Sequence, residues 1–443
     1  MTKFLPLFFV AIGFQVAAFA QENSPYSRYG LGDLAPNHNI YSRAMGGISA
    51  ATGESSDLNY INPATLGRIY STVFDIGTEA DFRTLKSQNP VNKFTSANAL
   101  FSYLQLAFPL TSSKMRKKGN AWGMNFGLRP LTKINYKIEK GSRILNNDSL
   151  YTLYEGSGGA NEAFIGTGIR IKKFSIGVTG GYVFGNKNYS TRLDFINDTV
   201  HYYKSNSANQ TTFGGLFVHA GMQYDFILDT SNKENPKFLR LGVYGNLQQK
   251  LRAKRDDIRE TFDYDANTAA YRIDSVFESK DVKGTIDYPM SFGGGFSYHD
   301  AHWLFGADFE MTQWSKYRYY GQADQVQNSW VVRAGGEYYP AKVGTPFRKY
   351  FNFVKYRAGF YYGPDYIKTN NSRPNYAFTV GTGMPLSSLQ RLGYYAESGL
   401  VMLNTALEIG GRGDKNTNIK ETVVRFSVGI SMNASWFIKR KYN

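Results

Sequence analysis

The chain contains no cysteine among its 443 residues. Disulfide bonds, thiol redox chemistry and thiolate metal sites are therefore excluded. Long apolar runs are also missing, because after residue 20 no stretch approaches the ~18 to 20 apolar residues that a membrane-spanning helix needs. A helical membrane protein is excluded on this ground. Any membrane-spanning form of the chain has to be a closed β-barrel, whose strands satisfy one another's backbone hydrogen bonds.

Histidine is scarce as well, with five residues, and this limits the chemistry that the chain can support. His219 is the only one placed well inside a predicted strand, and one wall histidine among many serines is weak support for a barrel lipase. His299 and His302 flank a tight turn, where Asp300 is the only carboxylate beside them, so a solvated turn explains them better than a metal site. We therefore expect no enzymatic activity, no metal and no cofactor.

Aromatic residues, glycine and positive charge are abundant. Aromatic residues make up 16% of the chain, glycine occurs 45 times, and the formal net charge is +16. Residues 1–20 combine a basic start, an apolar run and the small-residue site Ala18-Phe19-Ala20, which predict a cleaved secretory signal peptide. A basic chain raises nucleic acid, acidic proteins and lipid head groups as partners. Because the predicted signal peptide directs the chain out of the cytoplasm, we expect no nucleic acid partner.

From residue 70 onward, segments of apolar residues alternating with small or polar ones are separated by turns or polar loops. In the last segment, Phe426, Val428 and Ile430 alternate with Ser427 and Gly429. One face then suits lipid and the other a polar lumen. About fourteen segments fit this template: 70–83, 96–110, 121–136, 161–171, 174–187, 211–226, 237–251, 282–298, 301–317, 329–340, 351–363, 375–385, 399–411 and 421–437. The pattern predicts an all-β chain, a single 14-stranded antiparallel transmembrane β-barrel.

The alternation also predicts how the chain is divided. Residues 1–20 are the signal peptide, residues 21–69 do not alternate and cannot belong to the barrel wall, and residues 70–443 form the barrel. An even strand number places both chain ends on the periplasmic side of the outer membrane. The longest surface loops are then expected at 137–160, 188–210 and 252–281.

Basic residues collect at the predicted periplasmic ends of the strands. There they either contact the phosphates of inner-leaflet lipids or only keep the turns solvated, and the sequence leaves both readings open. The residues are Lys114, Arg116, Lys117, Lys118, Lys172, Lys173, Lys342, Arg348, Lys349, Lys439, Arg440 and Lys441.

Two motifs lie in the segment 21–69, RAMGG at 43–47 and NPA at 62–64. Together with Tyr288-Pro289 and Trp314-Ser315 in later strands, they resemble the FadL-type outer-membrane transporters of long-chain fatty acids and other hydrophobic compounds, a superfamily that includes protein-shuttle relatives. The resemblance implies that residues 21–69 form a hatch or plug, which fills the lumen and shifts to let ligand pass. The hatch residues that carry it are Arg43, Met45, Gly46, Gly47, Asn62, Pro63 and Ala64.

The same resemblance implies an inward kink in the third strand that opens a lateral gap into the membrane. The predicted third strand contains Gly127, Arg129 and Pro130. Proline has no N–H to give to a central strand, so Pro130 has to interrupt the ladder, and Gly127 eases a bend. The alternative is that Pro130 sits at the outer end of the strand, where pairing has already stopped.

Alternation also places charged side chains in the lumen. Opposite signs fall on neighbouring strands, so we expect Glu310 to face Arg333 and Glu408 to face Arg425. These pairs either hold a polar lumen and anchor the hatch, or leave one arginine to bind a fatty-acid carboxylate. The predicted lumen charges are Arg240, Asp308, Glu310, Arg333, Glu337, Glu408 and Arg425.

Two functions follow from these observations. The first is a passive carrier in the outer membrane of a Gram-negative bacterium, which takes up long-chain fatty acids or other hydrophobic small molecules past the hatch and through the lateral gap. The alternative is a barrel without transport activity that acts as an anchor, a shuttle or an accessory subunit of an outer-membrane secretion or assembly complex. The carrier needs a hydrophobic ligand, whereas the alternative needs a protein partner in the outer membrane or the periplasm.

Overall fold

The computed structural model describes most of the chain from Ser24 to Ala434. The described residues are 24–54, 57–88, 91–143, 149–197, 200–231, 236–265, 270–341, 349–368, 373–386, 400–413 and 419–434. Several sequence predictions fall outside these residues: the signal peptide, the basic residues Lys342, Arg348, Lys439, Arg440 and Lys441, and the end of the last strand.

The wall is one antiparallel sheet in which each strand pairs with its neighbour along the chain. Short β1 (Asp33–Leu34) belongs to the hatch. The wall strands are β2 (Thr72–Gln88), β3 (Val91–Pro109), β4 (Asn120–Arg143), β5 (Ser149–Ile171), β6 (Phe174–Ile196), β7 (Lys204–Asp229), β8 (Lys237–Asn246), β9 (Gln249–Tyr264), β10 (Ala270–Tyr288), β11 (Ser291–His299), β12 (Trp303–Thr312), β13 (Arg318–Tyr319), β14 (Ser329–Tyr338), β15 (Lys355–Pro364), β16 (Pro374–Pro385), β17 (Val401–Arg412) and β18 (Ile419–Ala434).

Two wall strands are interrupted, which reconciles these elements with the predicted strand number. β8 and β9 are halves of one strand, as are β10 and β11, and β13 is a two-residue addition to β10. The last wall strand, β18, pairs with the first wall strand, β2, over sixteen residues, from Ile419 opposite Ser87 to Ala434 opposite Thr72. This pairing closes the sheet. The predicted fourteen-stranded antiparallel barrel is confirmed.

Helices are short. α1 (Ile40–Arg43) lies in the hatch, and α2 (Ser113–Lys117) lies between β3 and β4. Turns of 3-10 helix cover Pro25–Arg28, Pro63–Arg68, Trp314–Lys316 and Tyr350–Phe353. Within the described part of the chain, no helix is both long and apolar enough to cross a membrane.

The outer surface of the barrel is apolar where the alternation is strongest. On β6, Val178 and Tyr182 are exposed, whereas the intervening Thr179 is buried on the inner face. Exposed apolar side chains recur around the wall, for example Phe305 on β12 and Phe426 on β18. An outward apolar band on a closed sheet matches the surface that a bilayer requires.

The predicted surface loops at 137–160, 188–210 and 252–281 are largely wrong, because the strands continue into them. β4 pairs with β5 as far as Arg143 opposite Ser149, and β9 pairs with β10 as far as Tyr264 opposite Ala270. Beyond the apolar band both faces of these strands meet polar surroundings. Alternation therefore fades there while the hydrogen-bond ladder continues. The end of the predicted ninth strand, 301–317, is also wrong, since β12 ends at Thr312.

Candidate functional site

The described residues 24–69 of the predicted hatch, called the hatch below, are mostly buried, and their arginines and backbone bind wall side chains on several sides. Arg43, at the end of α1, forms an ion pair with Glu79 of β2. The same guanidinium lies 3.3 Å from the hydroxyl of Ser102 on β3 and 3.5 Å from that of Ser427 on β18. Its Nε donates to the His38 carbonyl at 2.7 Å. One buried arginine therefore joins the hatch to the first, second and last wall strands.

A second fastening lies at the end of the hatch. Arg68 donates to both carboxylate oxygens of Asp225 on β7, at 2.8 and 3.0 Å, and Arg240 of β8 donates to the same carboxylate at 2.7 Å. Arg240 also donates to the Gly53 carbonyl of the hatch at 3.0 Å. Burial and the neighbouring Arg240 lower the pKa of Arg68 to about 9. A shared carboxylate thus links two arginines, one from the hatch and one from the wall.

The predicted lumen charge Asp308 on β12 also binds the hatch directly. One carboxylate oxygen accepts from the backbone N–H groups of Ser49 and Ala50, at 2.5 and 2.8 Å. Bonds from N–H groups to a buried carboxylate are stronger than neutral hydrogen bonds. Asp308 therefore holds the middle of the hatch against the wall opposite Arg43.

Asp33 fastens the outer part of the hatch. It accepts from Arg83 of β2 at 2.7 Å and forms an ion pair with Arg412 of β17. Burial would raise the pKa of Asp33, but the two arginines outweigh it and hold the pKa below its ordinary value. Asp33 therefore stays charged in the closed lumen.

Glycines let the hatch and the wall touch backbone to backbone. Gly46 and Gly47 have positive φ angles of 69° and 84°, which follow the end of α1. A Cβ on Gly46 would come within 2.9 Å of the backbone of Phe360 and Ala334. Several wall glycines face other parts of the hatch, and a Cβ on any of them would overlap hatch atoms. They are Gly123, Gly168, Gly177, Gly221, Gly242, Gly335, Gly359 and Gly381.

The NPA motif shapes the last hatch turn. The Asn62 side chain accepts from the N–H of Ala64 at 3.1 Å and donates to the Ala50 carbonyl at 2.7 Å. Pro63 occupies the first position of the 3-10 helix, where its missing N–H costs nothing. Asn62 thus caps the turn and ties two hatch segments together, while the buried Met45 packs beside wall glycines.

In the first part of the hatch, apolar side chains pack against wall residues and the connections after β12 and β15. Leu31 is fully buried in this cluster together with Trp314, Tyr317 and Tyr366. The Tyr317 hydroxyl donates to the Gly30 carbonyl at 3.1 Å. A cavity of about 250 Å³ lies between this cluster and the later part of the hatch, where Gly46 and Tyr60 line it. Much of its lining is charged or polar, and includes His38, Arg129, Glu310, Arg333, Glu408 and Arg425.

The lumen charges occur in pairs across neighbouring strands. Arg333 lies 2.8 Å from Glu310, and Arg425 lies 2.9 Å from Glu408, with a second ion pair from Arg425 to Asp81. Other charged pairs are Arg357 with Glu337 at 2.7 Å and Arg129 with Glu162 at 2.7 Å. Sequence reasoning missed the partners Asp81, Glu162, Asp225 and Arg357, although their positions follow the same inward alternation.

The ladder between β3 and β4 ends part-way along the two strands. These two strands pair only from Pro109 opposite Gly123 to Leu104 opposite Leu128. Each strand has an unpaired residue just beyond this point, Ser102 in β3 and Leu131 in β4. Pro130 lies immediately after the last pair, together with Gly127 and Arg129. The two strands then continue outward with their other neighbours, β2 and β5.

The hatch covers the β4 side of this separation. β1 pairs with β4, with Asp33 opposite Lys133 and Leu34 opposite Thr132. The N–H groups of Ala35 and Ser24 donate to the carbonyls of Leu131 and Asn135, each at 2.9 Å. The chain's own N-terminal segment therefore takes the place that β3 vacates along β4.

The histidines take structural positions. Nε2 of His219 lies 3.1 Å from the Tyr60 carbonyl of the hatch, and His299 stacks on Phe238 and contacts Ser297. Burial and the nearby Arg333, Arg43 and Arg129 hold the pKa of His38 well below its ordinary value. Among the residues that the structure describes, no three carboxylate or histidine side chains are grouped to hold a metal ion.

The chain is similar to known proteins in two respects, a family model that matches its sequence and solved structures that share its fold. A family model described as BamG matches residues 1–443. No curated protein sequence matches the chain. A solved Pseudomonas aeruginosa FadL homologue is 11% identical with a TM-score of 0.55, covering 91% of this chain and 99% of its own. The Ralstonia pickettii toluene transporter TbuX is 15% identical with a TM-score of 0.50 and the same coverage.

A third solved structure, the P. putida toluene transporter TodX, is 14% identical with a TM-score of 0.50, covering 89% of this chain and 98% of its own. At these identities the likeness establishes the fold alone. The resemblance to FadL-type proteins that the hatch motifs indicated is confirmed at that level.

Proposed function

The chain belongs to the BamG family, and from that premise we propose that it is an outer-membrane barrel with a fixed hatch, which serves as an accessory or anchoring subunit of a larger outer-membrane assembly. The observation that carries this proposal is the fastening of the hatch to the wall. Arg43, Arg68 and Asp33 of the hatch form ion pairs with β2, β7 and β17, the Asp308 carboxylate of β12 accepts from hatch N–H groups, and all four side chains are buried.

The energetic argument concerns hatch movement. Removing one partner of a buried ion pair costs ~3–5 kcal/mol, and a moving hatch would have to separate several such pairs together. Among the described residues, we find no ligand site or other energy source that would supply the free energy for separating these pairs. If the hatch is fixed, the lumen stays closed and the barrel can interact only through its outer surface and its rims. This arrangement suits a subunit of an assembly better than a pore.

The cavity supports the same proposal. A site for a hydrophobic molecule is expected to be lined mainly by apolar and aromatic side chains with few polar groups. Here arginines and carboxylates contribute much of the lining, and the apolar residues above it pack against one another in a buried cluster. Apolar and aromatic residues such as Phe217 and Tyr288 also line the cavity, but its volume of about 250 Å³ is below the ~300–1,000 Å³ of typical ligand sites.

A second candidate function is lateral uptake of hydrophobic molecules, with long-chain fatty acids as the substrate class. It is favoured by the separation of β3 from β4 beside Pro130, at a height where Phe101 and Leu104 are exposed on the outer face. The toluene transporters that share the fold make a hydrophobic cargo a reasonable candidate for such a route.

Native mass spectrometry of protein gently extracted from outer membranes tests the two functions together. The subunit proposal predicts a stoichiometric protein partner and no bound hydrophobic molecule. A bound fatty acid that is lost in Pro130→Val, but kept in the control Pro385→Val at the end of β16, would overturn it in favour of uptake.

A further inference from the structure

Basic side chains are concentrated on one sector of the barrel end at which β2 begins and β18 ends, the end predicted to face the periplasm. The sector consists of α2, the residue that follows it, and the two-residue turn between β5 and β6. All of its lysines and its arginine are exposed. These residues are called the basic rim below: Lys114, Arg116, Lys117, Lys118, Lys172 and Lys173.

Contacts between α2 and the turn make the basic rim one surface. The N–H of Lys172 donates to the side chain of Asn120, the first residue of β4, at 3.2 Å. The Cζ of Arg116 lies 5.8 Å from the centre of the Tyr70 ring, and Arg170 donates to the hydroxyl of the same tyrosine at 3.4 Å. Arg170 also donates to the Lys172 carbonyl at 2.8 Å. Tyr70 and Arg170 therefore connect α2 to the turn.

The positive charges of the basic rim are not balanced by carboxylates. Among the residues that the structure describes, no side chain of the basic rim forms an ion pair. At the opposite end of the barrel, cations are paired with carboxylates, as in Lys204 with Asp263 at 2.9 Å and Lys254 with Asp281 at 3.1 Å. The surplus of positive charge is therefore specific to this sector and is not shared by every polar strand end.

The geometry of the turn does not account for its lysines. Lys172 has a φ angle of 56°, in the left-handed region that glycine and asparagine adopt more readily in two-residue turns. Another short connection at the same barrel end, between β11 and β12, has no lysine or arginine from His299 to Trp303. The side chain of Lys172, and not its backbone, therefore explains the presence of lysine at this position.

The basic rim borders the apolar band of the wall. Ile171 and Phe174, which flank the two turn lysines, are 50% and 38% exposed on the outer face. Trp122 of β4 is 41% exposed, and its indole N–H donates to the Thr167 hydroxyl at 2.8 Å. Exposed tryptophan and other aromatic residues mark the depth at which hydrocarbon gives way to lipid head groups. The long basic side chains beside them therefore reach the depth of the phospholipid phosphates.

We propose that the basic rim binds the phosphates of anionic phospholipids in the periplasmic leaflet of the outer membrane. Ammonium and guanidinium groups pair with phosphate oxygens, and a cluster of them attracts anionic head groups more strongly than zwitterionic ones. The acyl chains of the bound lipid lie along the exposed apolar side chains of β4, β5 and β6. Lipid binding here requires no protein partner, so it can hold or fail without changing the proposed subunit function.

Native mass spectrometry of the purified full chain, titrated with phosphatidylglycerol, tests this site. The variant combines Lys117→Gln, Lys172→Gln and Lys173→Gln. A lysine near an anionic surface contributes roughly a fivefold attraction, so the apparent Kd should rise at least about tenfold. The matched control removes three exposed lysines at the opposite barrel end, by Lys86→Gln, Lys93→Gln and Lys140→Gln. Its Kd should change less than about twofold, and heat-modifiable gel mobility verifies that both variants are folded.

Other outcomes would overturn lipid binding at the basic rim. Equal shifts in the two triple variants, or no preference for phosphatidylglycerol over phosphatidylethanolamine, would do so. Displacement of the lipid by an excess of inorganic phosphate would assign the site to free anions instead. In intact outer membranes, a benzoylphenylalanine that replaces the exposed Ser113 of α2 should crosslink phospholipid. A protein adduct without lipid would assign the basic rim to an acidic protein partner.

Discussion

Replacing Arg68 with alanine is the sharpest test of a fixed hatch. The Arg68 guanidinium makes two bonds to Asp225, at 2.8 and 3.0 Å, and its side chain is buried. Breaking a buried ion pair from one side costs ~3–5 kcal/mol. Because Arg240 still holds Asp225 at 2.7 Å, the carboxylate is not left alone. We therefore expect the lower end of that range, ~3 kcal/mol.

This loss is measured as hatch opening in the folded barrel. The chain has no cysteine, so Ser49→Cys introduces a single thiol at a hatch position that is fully buried. Maleimide then labels it only when the hatch opens. A change of ~1.4 kcal/mol is tenfold in an equilibrium constant, so Arg68→Ala should raise the labelling rate on the order of 100-fold.

The matched control is Arg170→Ala. Arg170 lies 3.6 Å from the same carboxylate but is 26% exposed, and partly solvated pairs contribute ~0–1 kcal/mol. Its labelling rate should rise less than about sixfold. If Arg68→Ala raises the rate no more than Arg170→Ala does, the hatch is not held by its buried ion pair and the argument for a fixed plug fails.

Three further predictions use the same labelling assay or barrel stability. Gly359→Val should displace the hatch and lower the unfolding temperature, because its side chain overlaps the Met45 backbone, whereas Gly180→Val, with open space at its Cβ, should not. Pro130→Val should change the labelling rate by less than about twofold, because β1 already covers the β4 edge. Hatch opening should increase as pH falls below about 6.5, since the pKa of His38 is lowered in the folded state and the opened hatch takes up the proton first. His38→Gln should flatten this pH dependence, and an unchanged slope would remove His38 as its cause.

The apolar part of the wall could be predicted from the sequence because every second residue of a strand in the bilayer faces lipid and is apolar. Phe426 and Ser427 show it within one strand. Outside the apolar band no such rule applies, so the outer ends of β4 and β9 were not predicted although their ladders continue. Loop and strand are indistinguishable by alternation when both faces meet water.

The same limit applies to the site. Alternation predicted that Asp308 and Arg240 face the lumen, but not that Asp308 binds the backbone of Ser49 or that Arg240 shares Asp225 with Arg68. Those contacts depend on how an irregular segment folds back inside the wall. Pro130 indicated where β3 and β4 stop pairing. No sequence pattern indicated that β1 covers β4, apart from the short stretch that precedes the RAMGG motif.

The contacts between glycines and the hatch also constrain the order of folding. β18 closes the cylinder by pairing with β2, and Arg43 bridges that seam through Glu79 and Ser427. At the wall glycines that contact the hatch, the inner surface of the barrel has no side chains. An emptied cylinder would expose this surface to water, and a closed one offers little room for threading. We therefore expect the hatch to be in position before the final seam forms, so that the barrel closes around its own N-terminal segment.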